Sequence, residues 1–455
     1  MPLAAPTRLP QGFRSLRHRN FRLFWTGQLV SLVGTWMQAV AQGWLLVQLT
    51  NADPIALGLL AVAQFLPVLI LGLFGGVLAD ALPKRAGLVV TQAAAGVLAL
   101  ILGLLVVTNT VQVWHVFVLA VLLGIVNAFD MPIRQSFVVE MVGREDVANA
   151  VALNSAVFNG TRIVGPAIAG ILIATVGLAA CFLLNAVSYI AVIVGLLMMR
   201  TGDLRLPPKS ALERNVRSVV GQLAEGLRYV RNTPETFLAI SIVGVVSTVA
   251  LNFQVLLPLL ADKVLGGGAA TYGFLSSAAG IGSLAGALAL AFSGKVTFQR
   301  LLVGALAVGL AMVGLGISRW LPLSLVMMAV CGWGLISMAA TTNTMIQLNT
   351  PDHLRGRVVS VYTTVFAGST PVGGLFSGGL AATAGTPAAF LVAGVLSILT
   401  VGVAAYFRLQ QGPERGAGPT ASGPTSVTEA LASTPGGPVR RPPDPAAADG
   451  RRPLG

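Results

Sequence analysis

The most unusual property of this 455-residue chain is how little charge it has, since Asp, Glu, Lys and Arg make up only 10% of it. A soluble protein covers its surface with about 25% charged residues. Here 55% of the residues are apolar and the mean hydropathy is +0.81. This composition excludes an ordinary soluble domain and predicts a protein solvated mainly by lipid.

Cysteine and histidine are also scarce. The two cysteines, Cys181 and Cys331, lie in apolar segments and form neither a disulfide framework nor a zinc-ligand spacing. The three histidines are scattered, and the phosphate-binding, zinc-protease and serine-hydrolase motifs are missing from the sequence. We therefore predict no metal, no cofactor and no enzymatic activity.

What the chain does contain is a series of apolar segments long enough to cross a membrane. They fall near residues 22–49, 57–79, 87–108, 113–130, 148–175, 178–199, 236–261, 271–293, 299–317, 321–345, 357–383 and 386–407. The pattern predicts an all-α membrane protein whose twelve transmembrane helices form two pseudo-symmetric six-helix bundles. The predicted domains are an N-tail (1–20), the two bundles (21–199 and 236–407), a linker (200–235) and a disordered tail (408–455).

The basic residues predict the orientation of the chain in the membrane. Of the 29 Lys and Arg residues, 26 fall on one side of the predicted spans. The positive-inside rule then places both termini in the cytoplasm, with the protein in a bacterial inner membrane. The net charge of +13 is thus a topology signal, and no folded domain remains that could bind nucleic acid. Residues 216–231 of the linker have one apolar helical face, which predicts an amphipathic helix lying on the membrane.

The two bundles are weak repeats, because a shift of about 207 residues places the fifth helix over the eleventh. Duplicated helical halves are typical of secondary transporters, which hold their substrate between the halves near the midplane. Polar side chains at helical spacing within the spans predict a water-filled pocket there, with interhelical hydrogen bonding as the alternative. The predicted substrate-binding residues are Gln38, Gln42, Asn159, Arg162, Asn252 and Thr341.

Arg162 is the sharpest of these candidates, because no other charge occurs in the run from Ala148 to Val176. A guanidinium at this depth is energetically costly and is functional by default. We expect it to face the pocket and to bind an anionic or acceptor-rich ligand through its fork of donors. The alternative is a structural arginine that joins helices.

Charged residues at the predicted cytoplasmic helix ends suggest a gate. We expect them to form ion pairs that hold the two halves together on that side, an arrangement that we call the latch. Each exposed ion pair is weak, so the latch can open. The alternative is a set of solvated loop charges that only fix the topology. The predicted gating and coupling residues are Asp80, Lys84, Arg85, Asp130, Arg134, Arg355 and Arg357.

Several stretches resemble the major facilitator superfamily, over roughly residues 12–407. "GGVLADALPKR" is similar to its loop motif between helices two and three, with matches at Asp80, Lys84 and Arg85 and a departure at Ala81. "RIVGPAIAG" looks like the antiporter motif of helix five. "DMPIRQSF", "NGTRIVGPAIAG" and "LRGRVVSVYTTVFAGSTPVGG" are similar to the enterobactin-exporter and macrolide-efflux branch.

The resemblance implies a monomeric transporter that exports an amphipathic siderophore, macrolide or drug by alternating access and proton antiport. In this chain Asp80 and Asp130 are the candidate proton carriers, and we hypothesise that their protonation weakens the latch. Two alternatives remain at this point. One is a metabolite importer or uniporter, and the other is a membrane sensor or scaffold that transports nothing.

Overall fold

The computed structural model describes residues 11–81, 83–205, 216–293 and 296–410, without the side chains of 73–81, 216–220 and 222. Within these ranges the secondary structure is helical and twelve helices are long and apolar enough to cross a membrane, which confirms the predicted all-α class. The thirteen helices described are α1 (Arg19–Thr50), α2 (Pro54–Ala81), α3 (Lys84–Val107), α4 (Val113–Val142), α5 (Val147–Thr175), α6 (Leu178–Leu197), α7 (Val216–Asn232), α8 (Pro234–Val264), α9 (Gly268–Ser293), α10 (Phe298–Ile317), α11 (Leu321–Asn349), α12 (Asp352–Ala384) and α13 (Thr386–Gln410).

Helix α7 is the helix predicted in the linker, and it precedes the seventh spanning helix, α8. We call α1–α6 the first half and α8–α13 the second half. The linker end of the molecule is the end where α6 finishes and α7 lies, and the far end is the opposite one. Glycine allows several helices to approach each other closely, as is typical of helices that pack in a membrane. A Cβ atom on Gly282 of α9 would lie 1.8 Å from the carbonyl oxygen of Ala329 in α11.

The two halves touch each other through α2 and α12 and through α5 and α9. Both seams are lined by glycine. A Cβ on Gly58 would lie 2.6 Å from the carbonyl oxygen of Gly374, and one on Gly273 would lie 2.5 Å from that of Pro166. These residues belong to the portions of their helices nearest the far end, so the halves are closed against each other there.

Two side-chain contacts reinforce closure at the far end. The Lys263 ammonium donates a hydrogen bond to the carbonyl oxygen of Ala52, which follows the last turn of α1, at 2.7 Å. The rings of Trp44 and Tyr272 stack with centroids 6.5 Å apart. Each contact joins the first half to the second.

Helix α4 is longer than the sequence predicted, since it ends at Val142 and not near residue 130. The sequence-based boundary was drawn where charged residues begin. The helix continues because those charges are paired inside the protein, where they cost far less than in lipid. As a result Asp130 lies twelve residues, or roughly 18 Å, inside the helix.

The N-terminal segment docks on the loop between α4 and α5. Its 3-10 turn, Gln11–Arg17, precedes α1 and surrounds the carboxylate of Asp146. Arg14 and Arg17 each approach this carboxylate to 2.9 Å, and His18 approaches it to 2.7 Å. Burial alone raises the pKa of Asp146, but the hydrogen bond with His18 and the neighbouring positive charges outweigh it and hold this pKa below its ordinary value of 3.8.

Candidate functional site

A cavity of about 830 Å³ lies among the helices of the first half. It extends from mid-depth towards the linker end, since its wall runs from Gln42 to Phe24 along α1 and from Leu123 to Val138 along α4. Five aromatic residues face it: Phe24, Trp36, Phe65, Phe158 and Tyr189. Ten primary amides line it as well: Gln28, Gln38, Gln42, Gln64, Gln92, Asn127, Gln135, Asn154, Asn159 and Asn185.

One pair of opposite charges lies in the wall of this cavity. Asp130 and Arg134 are one turn apart on α4 and form an ion pair. The carboxylate of Asp130 is 1% exposed and also accepts hydrogen bonds from the Thr91 hydroxyl at 2.7 Å and the Gln92 amide at 2.8 Å. Arg134 donates a second hydrogen bond to the amide oxygen of Gln28 at 2.7 Å. Helices α1, α3 and α4 are therefore joined through this network.

The prediction that Asp130 and Arg134 lie on the cytoplasmic rim is therefore wrong. Both side chains belong to the wall of the cavity and bond only within the first half among the contacts described. The reason is the extra length of α4, which carries this turn well inside the bundle. A buried carboxylate does face the cavity, although the sequence had placed no acid at such a depth.

Three of the six predicted substrate-binding residues lie on the cavity wall. Gln38 accepts a hydrogen bond from the Asn185 amide at 2.7 Å, and Gln42 accepts one from the Gln64 amide at 3.1 Å. Asn159 donates to the carbonyl oxygen of Ser155, one turn earlier in α5, at 2.8 Å. Each amide keeps further donor or acceptor positions that could serve a bound molecule.

Arg162 lies beside this cavity without being part of its wall. Its guanidinium carbon is 5.7 Å from the ring centroid of Trp36, a residue that does face the cavity. Among the described side chains it has no carboxylate within 4 Å. The backbone of Arg162 packs on Gly280 of α9, where a Cβ atom would lie 3.0 Å from its carbonyl oxygen. Arg162 therefore lies at mid-depth where the two halves meet, with its guanidinium over the ring of Trp36.

The other two predicted binding residues face away from the cavity. Asn252 is 3% exposed, and its amide donates to the carbonyl oxygens of Thr248 at 3.3 Å and Ser369 at 3.2 Å, which ties α8 to α12. This bond is made beside a π-helical turn, Ser247–Leu251. Thr341 is fully buried within the second half, and its hydroxyl oxygen has no hydrogen-bond partner among the described residues. The alternative of hydrogen bonding between helices therefore fits Asn252 and does not fit Thr341.

The remaining gating candidates contact residues of their own half or, for Arg357, of the linker helix α7. Lys84 pairs with Glu140, and Arg85 donates to the carbonyl oxygens of Leu196 and Leu197 at the end of α6, at 2.7 and 2.8 Å. Arg355 pairs with Asp352 in the same helix, and Arg357 pairs with Glu225 of α7. The side chain of Asp80 lies outside the described residues. In this conformation, none of the described pairs within this group joins the two halves.

The sequence analysis did not place several residues on the cavity wall, although it had named Asp130 and Arg134 as gating candidates. Asn127, Asp130 and Arg134 follow each other at steps of three and four on α4, a helical stripe that the sequence does contain. It was missed because the helix had been ended at residue 130. Gln92 and Asn185, by contrast, are single amides in apolar runs, and their spacing gave no signal.

Comparison with known proteins places this arrangement in context. A family model described as transmembrane secretion effector matches residues 11–440. The multidrug efflux pump Tap of Mycolicibacterium fortuitum is 32% identical over 83% of this chain and 93% of its own. The staphyloferrin A transporter of Staphylococcus aureus and the enterobactin exporter EntS of Escherichia coli are each 25% identical, over 83% and 85% of this chain and 93% and 91% of their own.

Solved structures share the fold at much lower identity. A POT family transporter in complex with 5-aminolevulinic acid superposes with a TM-score of 0.68 at 13% identity, over 90% of this chain and 98% of its own. A bacterial homologue of the human lysosomal transporter Spinster, in an inward-facing and unoccupied conformation, gives 0.63 at 13% identity, over 86% of this chain and 96% of its own.

Proposed function

This chain belongs to the transmembrane secretion effector family of the major facilitator superfamily, and from that premise we propose that it exports an amphipathic small molecule. The proposed substrates are siderophore, macrolide or drug-like compounds, moved by alternating access in exchange for protons. The similar proteins are efflux pumps and siderophore transporters. The protein is proposed to act as a monomer in a bacterial inner membrane, with its linker end in the cytoplasm.

The observation that carries this proposal is the cavity itself. Its volume of about 830 Å³ falls in the range of small-molecule sites. Its wall combines aromatic rings with amides, which suits a molecule that has both an apolar frame and hydrogen-bonding groups. A membrane scaffold or sensor has no need of such a wet interior.

The contacts between the halves support alternating access. The halves meet from mid-depth to the far end, while the cavity reaches towards the linker end. Rocking the halves about mid-depth would open the glycine seams and bring the linker ends together. The proposed latch of Lys84, Arg85, Arg355, Arg357 and Asp80 would then form in that second conformation.

Asp130 is the proposed proton carrier. Its carboxylate is buried in the cavity wall and paired with Arg134, so protonation would remove the negative partner of that cation. A substrate in the cavity and a proton on Asp130 would then compete with each other, because both act on the hydrogen-bond network that joins α1, α3 and α4. Coupling by competition needs no carboxylate in the second half.

The first experiment is a resistance screen with overexpressed protein and a panel of antibiotics and siderophores. Any compound that gives a shift is then tested in proteoliposomes for counterflow and for accumulation driven by a pH gradient. We expect Asp130→Asn to keep counterflow and to lose at least about 90% of the pH-driven accumulation, as removal of a sole proton carrier requires. Glu145→Gln, the same chemical change in an exposed loop, is the control.

Two outcomes would contradict the proposal. Transport at the wild-type rate by Asp130→Asn under a pH gradient would remove this residue from coupling. Absence of both a resistance shift and counterflow across the whole panel would favour a protein that does not transport such compounds.

A further inference from the structure

The charges on the cavity wall determine which kinds of ligand the cavity can bind. What we infer about this selectivity rests on the proposed export function. Among the described residues that line the cavity, only Asp130 and Arg134 have full charges, and these two are paired with each other. The described part of the wall is therefore electrically neutral, although the chain as a whole has a net charge of +13.

Both members of the pair are already neutralised by each other, and the one donor of Arg134 without a partner among the described residues, its Nε–H, is buried. The Asp130 carboxylate already accepts bonds from Thr91, Gln92 and Arg134. The guanidinium of Arg134 is divided between Asp130 and the amide oxygen of Gln28. A carboxylate on a ligand would have to compete for Arg134 with an acid one turn away on the same helix.

Arg162 is not among the described residues of the wall. Its guanidinium carbon lies over the ring of Trp36, 5.7 Å from the centroid, and Trp36 faces the cavity. An anionic group that entered the cavity would lose water without gaining a free positive partner, and desolvation of an unpaired charge is strongly unfavourable.

Neutral hydrogen-bonding groups of a ligand, in contrast, find many partners on the wall. Each primary amide offers two N–H donors and one carbonyl acceptor, and ten of them are spread over all six helices of the first half. Four hydroxyl groups add to this set: Ser31, Thr35, Ser155 and Tyr189. Hydroxyl, carbonyl and amide groups of a ligand can therefore be satisfied at many positions, while the aromatic rings pack against its apolar frame.

We infer that the cavity selects net-uncharged, oxygen- and amide-rich amphiphiles and discriminates against carboxylate-bearing ones. Within the proposed substrate classes, this favours neutral drug-like molecules and macrolactone-type frames over polycarboxylate siderophores. Selection arises because the described wall offers many neutral hydrogen-bonding groups, and its two charged groups are paired with each other.

The test compares two molecules that share one frame and differ in charge. Chloramphenicol is neutral, with an aromatic ring, two hydroxyls and an amide, and its succinate hemiester adds one carboxylate. Binding to the purified full-length protein is measured by thermal shift and by equilibrium dialysis. We expect the neutral form to bind at least about tenfold more tightly. A second pair, a coumarin amide and the corresponding coumarin carboxylate, repeats the comparison on another frame.

Two variants move the charge of the wall in the positive direction. Asp130→Asn leaves Arg134 without its acid, and Gln135→Lys adds a cation at an exposed position of the wall where no internal bond is broken. Each should reduce the preference for the neutral form at least about tenfold, because the carboxylate gains a partner. Glu145→Gln gives the same change in net charge in an exposed loop and should leave the preference as it is in the wild type.

The outcomes separate this inference from the proposed function. Equal or tighter binding of the carboxylate forms by the wild type, or an unchanged preference in Gln135→Lys, would overturn the inference and leave export of amphipathic molecules standing. Failure of both frames to bind, neutral and anionic alike, would overturn the inference together with the proposed drug-like substrate class.

Discussion

Asp146 has a larger role in the structure than a single loop carboxylate normally would. It is 2% exposed, precedes the first turn of α5, and holds the N-terminal segment through Arg14, Arg17 and His18. Because its pKa in the folded protein lies below the ordinary 3.8, its stabilising contribution is fully present above that pH. The contribution is lost as the pH falls through the lowered pKa of the folded state.

Replacing this carboxylate should therefore destabilise the protein in a pH-dependent way. We expect Asp146→Asn to lower the free energy of unfolding by about 1–3 kcal/mol at pH 7, since three donors lose their charged acceptor. The difference from the wild type should shrink as the pH falls below the ordinary 3.8, where the unfolded state binds the proton first, and should disappear below the lowered pKa of the folded state. Thermal unfolding across this pH range measures both effects. Asp203→Asn, at an exposed loop position, should change little, and an equally large difference at every pH would contradict the assignment.

The residues of the site show where reasoning from sequence alone reached its limit. Gln38, Gln42 and Asn159 were found because polar side chains at helical spacing in a lipid-soluble helix must face protein or water. The same rule selected Asn252 and Thr341, which face protein. Spacing alone cannot tell these two cases apart, because a helical face that packs on a neighbouring helix and one that lines a cavity have the same periodicity.

At the scale of helices, close packing through glycine controls how the halves meet. On α12 a Cβ at Gly378 would lie 2.6 Å from the carbonyl oxygen of Pro54 in α2, whereas one at the adjacent Gly379 would meet nothing within 4 Å. A substitution at Gly379 is therefore a matched control for the same substitution at Gly378, since the two residues lie at the same depth of one helix.

We expect Gly378→Leu to hold the two halves apart at the far end and to reduce transport at least tenfold, since the backbones can no longer approach. Gly379→Leu should transport at close to the wild-type rate. Counterflow in proteoliposomes measures both variants, and size-exclusion chromatography shows whether each one is folded. Equal activity of the two variants would show that closure at this seam is not required.

The helices themselves were largely predictable from the sequence, and their ends were not. Twelve apolar runs locate the spans because a helix satisfies its backbone hydrogen bonds within a single segment, as lipid requires. The end of α4 was misplaced by twelve residues, because Asp130, Arg134 and Glu140 look like loop charges until their partners are known. Those partners, Gln28 and Lys84, come from other helices and only the folded structure brings them together.

At the scale of the whole molecule, the proposed cycle requires opposite movements at the two ends. Spin labels on Glu145 and His353 report on the linker end, and labels on Thr110 and Trp320 report on the far end, since all four positions are exposed. The two native cysteines are buried, so labelling of introduced cysteines should be selective.

We expect a conformational change that shortens the distance between the labels at the linker end to lengthen the distance between the labels at the far end, because the halves pivot about contacts at mid-depth. Pulsed electron paramagnetic resonance measures the distribution of distances between the labels at each end. The measurements are made at pH 5 and pH 8, with and without a transported compound. Distances that shorten or lengthen together at both ends would contradict alternating access, whereas a reciprocal change would support it.

The ion pair of Asp130 and Arg134 in the cavity wall also has an electrical consequence. Protonation of Asp130 leaves the Arg134 guanidinium unneutralised, so the protonated, empty carrier differs by one elementary charge from the deprotonated carrier loaded with a neutral molecule. Exchange of one proton for one such molecule would therefore be electrogenic. At 100 mV the membrane voltage would contribute about 2.3 kcal/mol to each turnover, so export could proceed even when no pH difference exists across the bilayer.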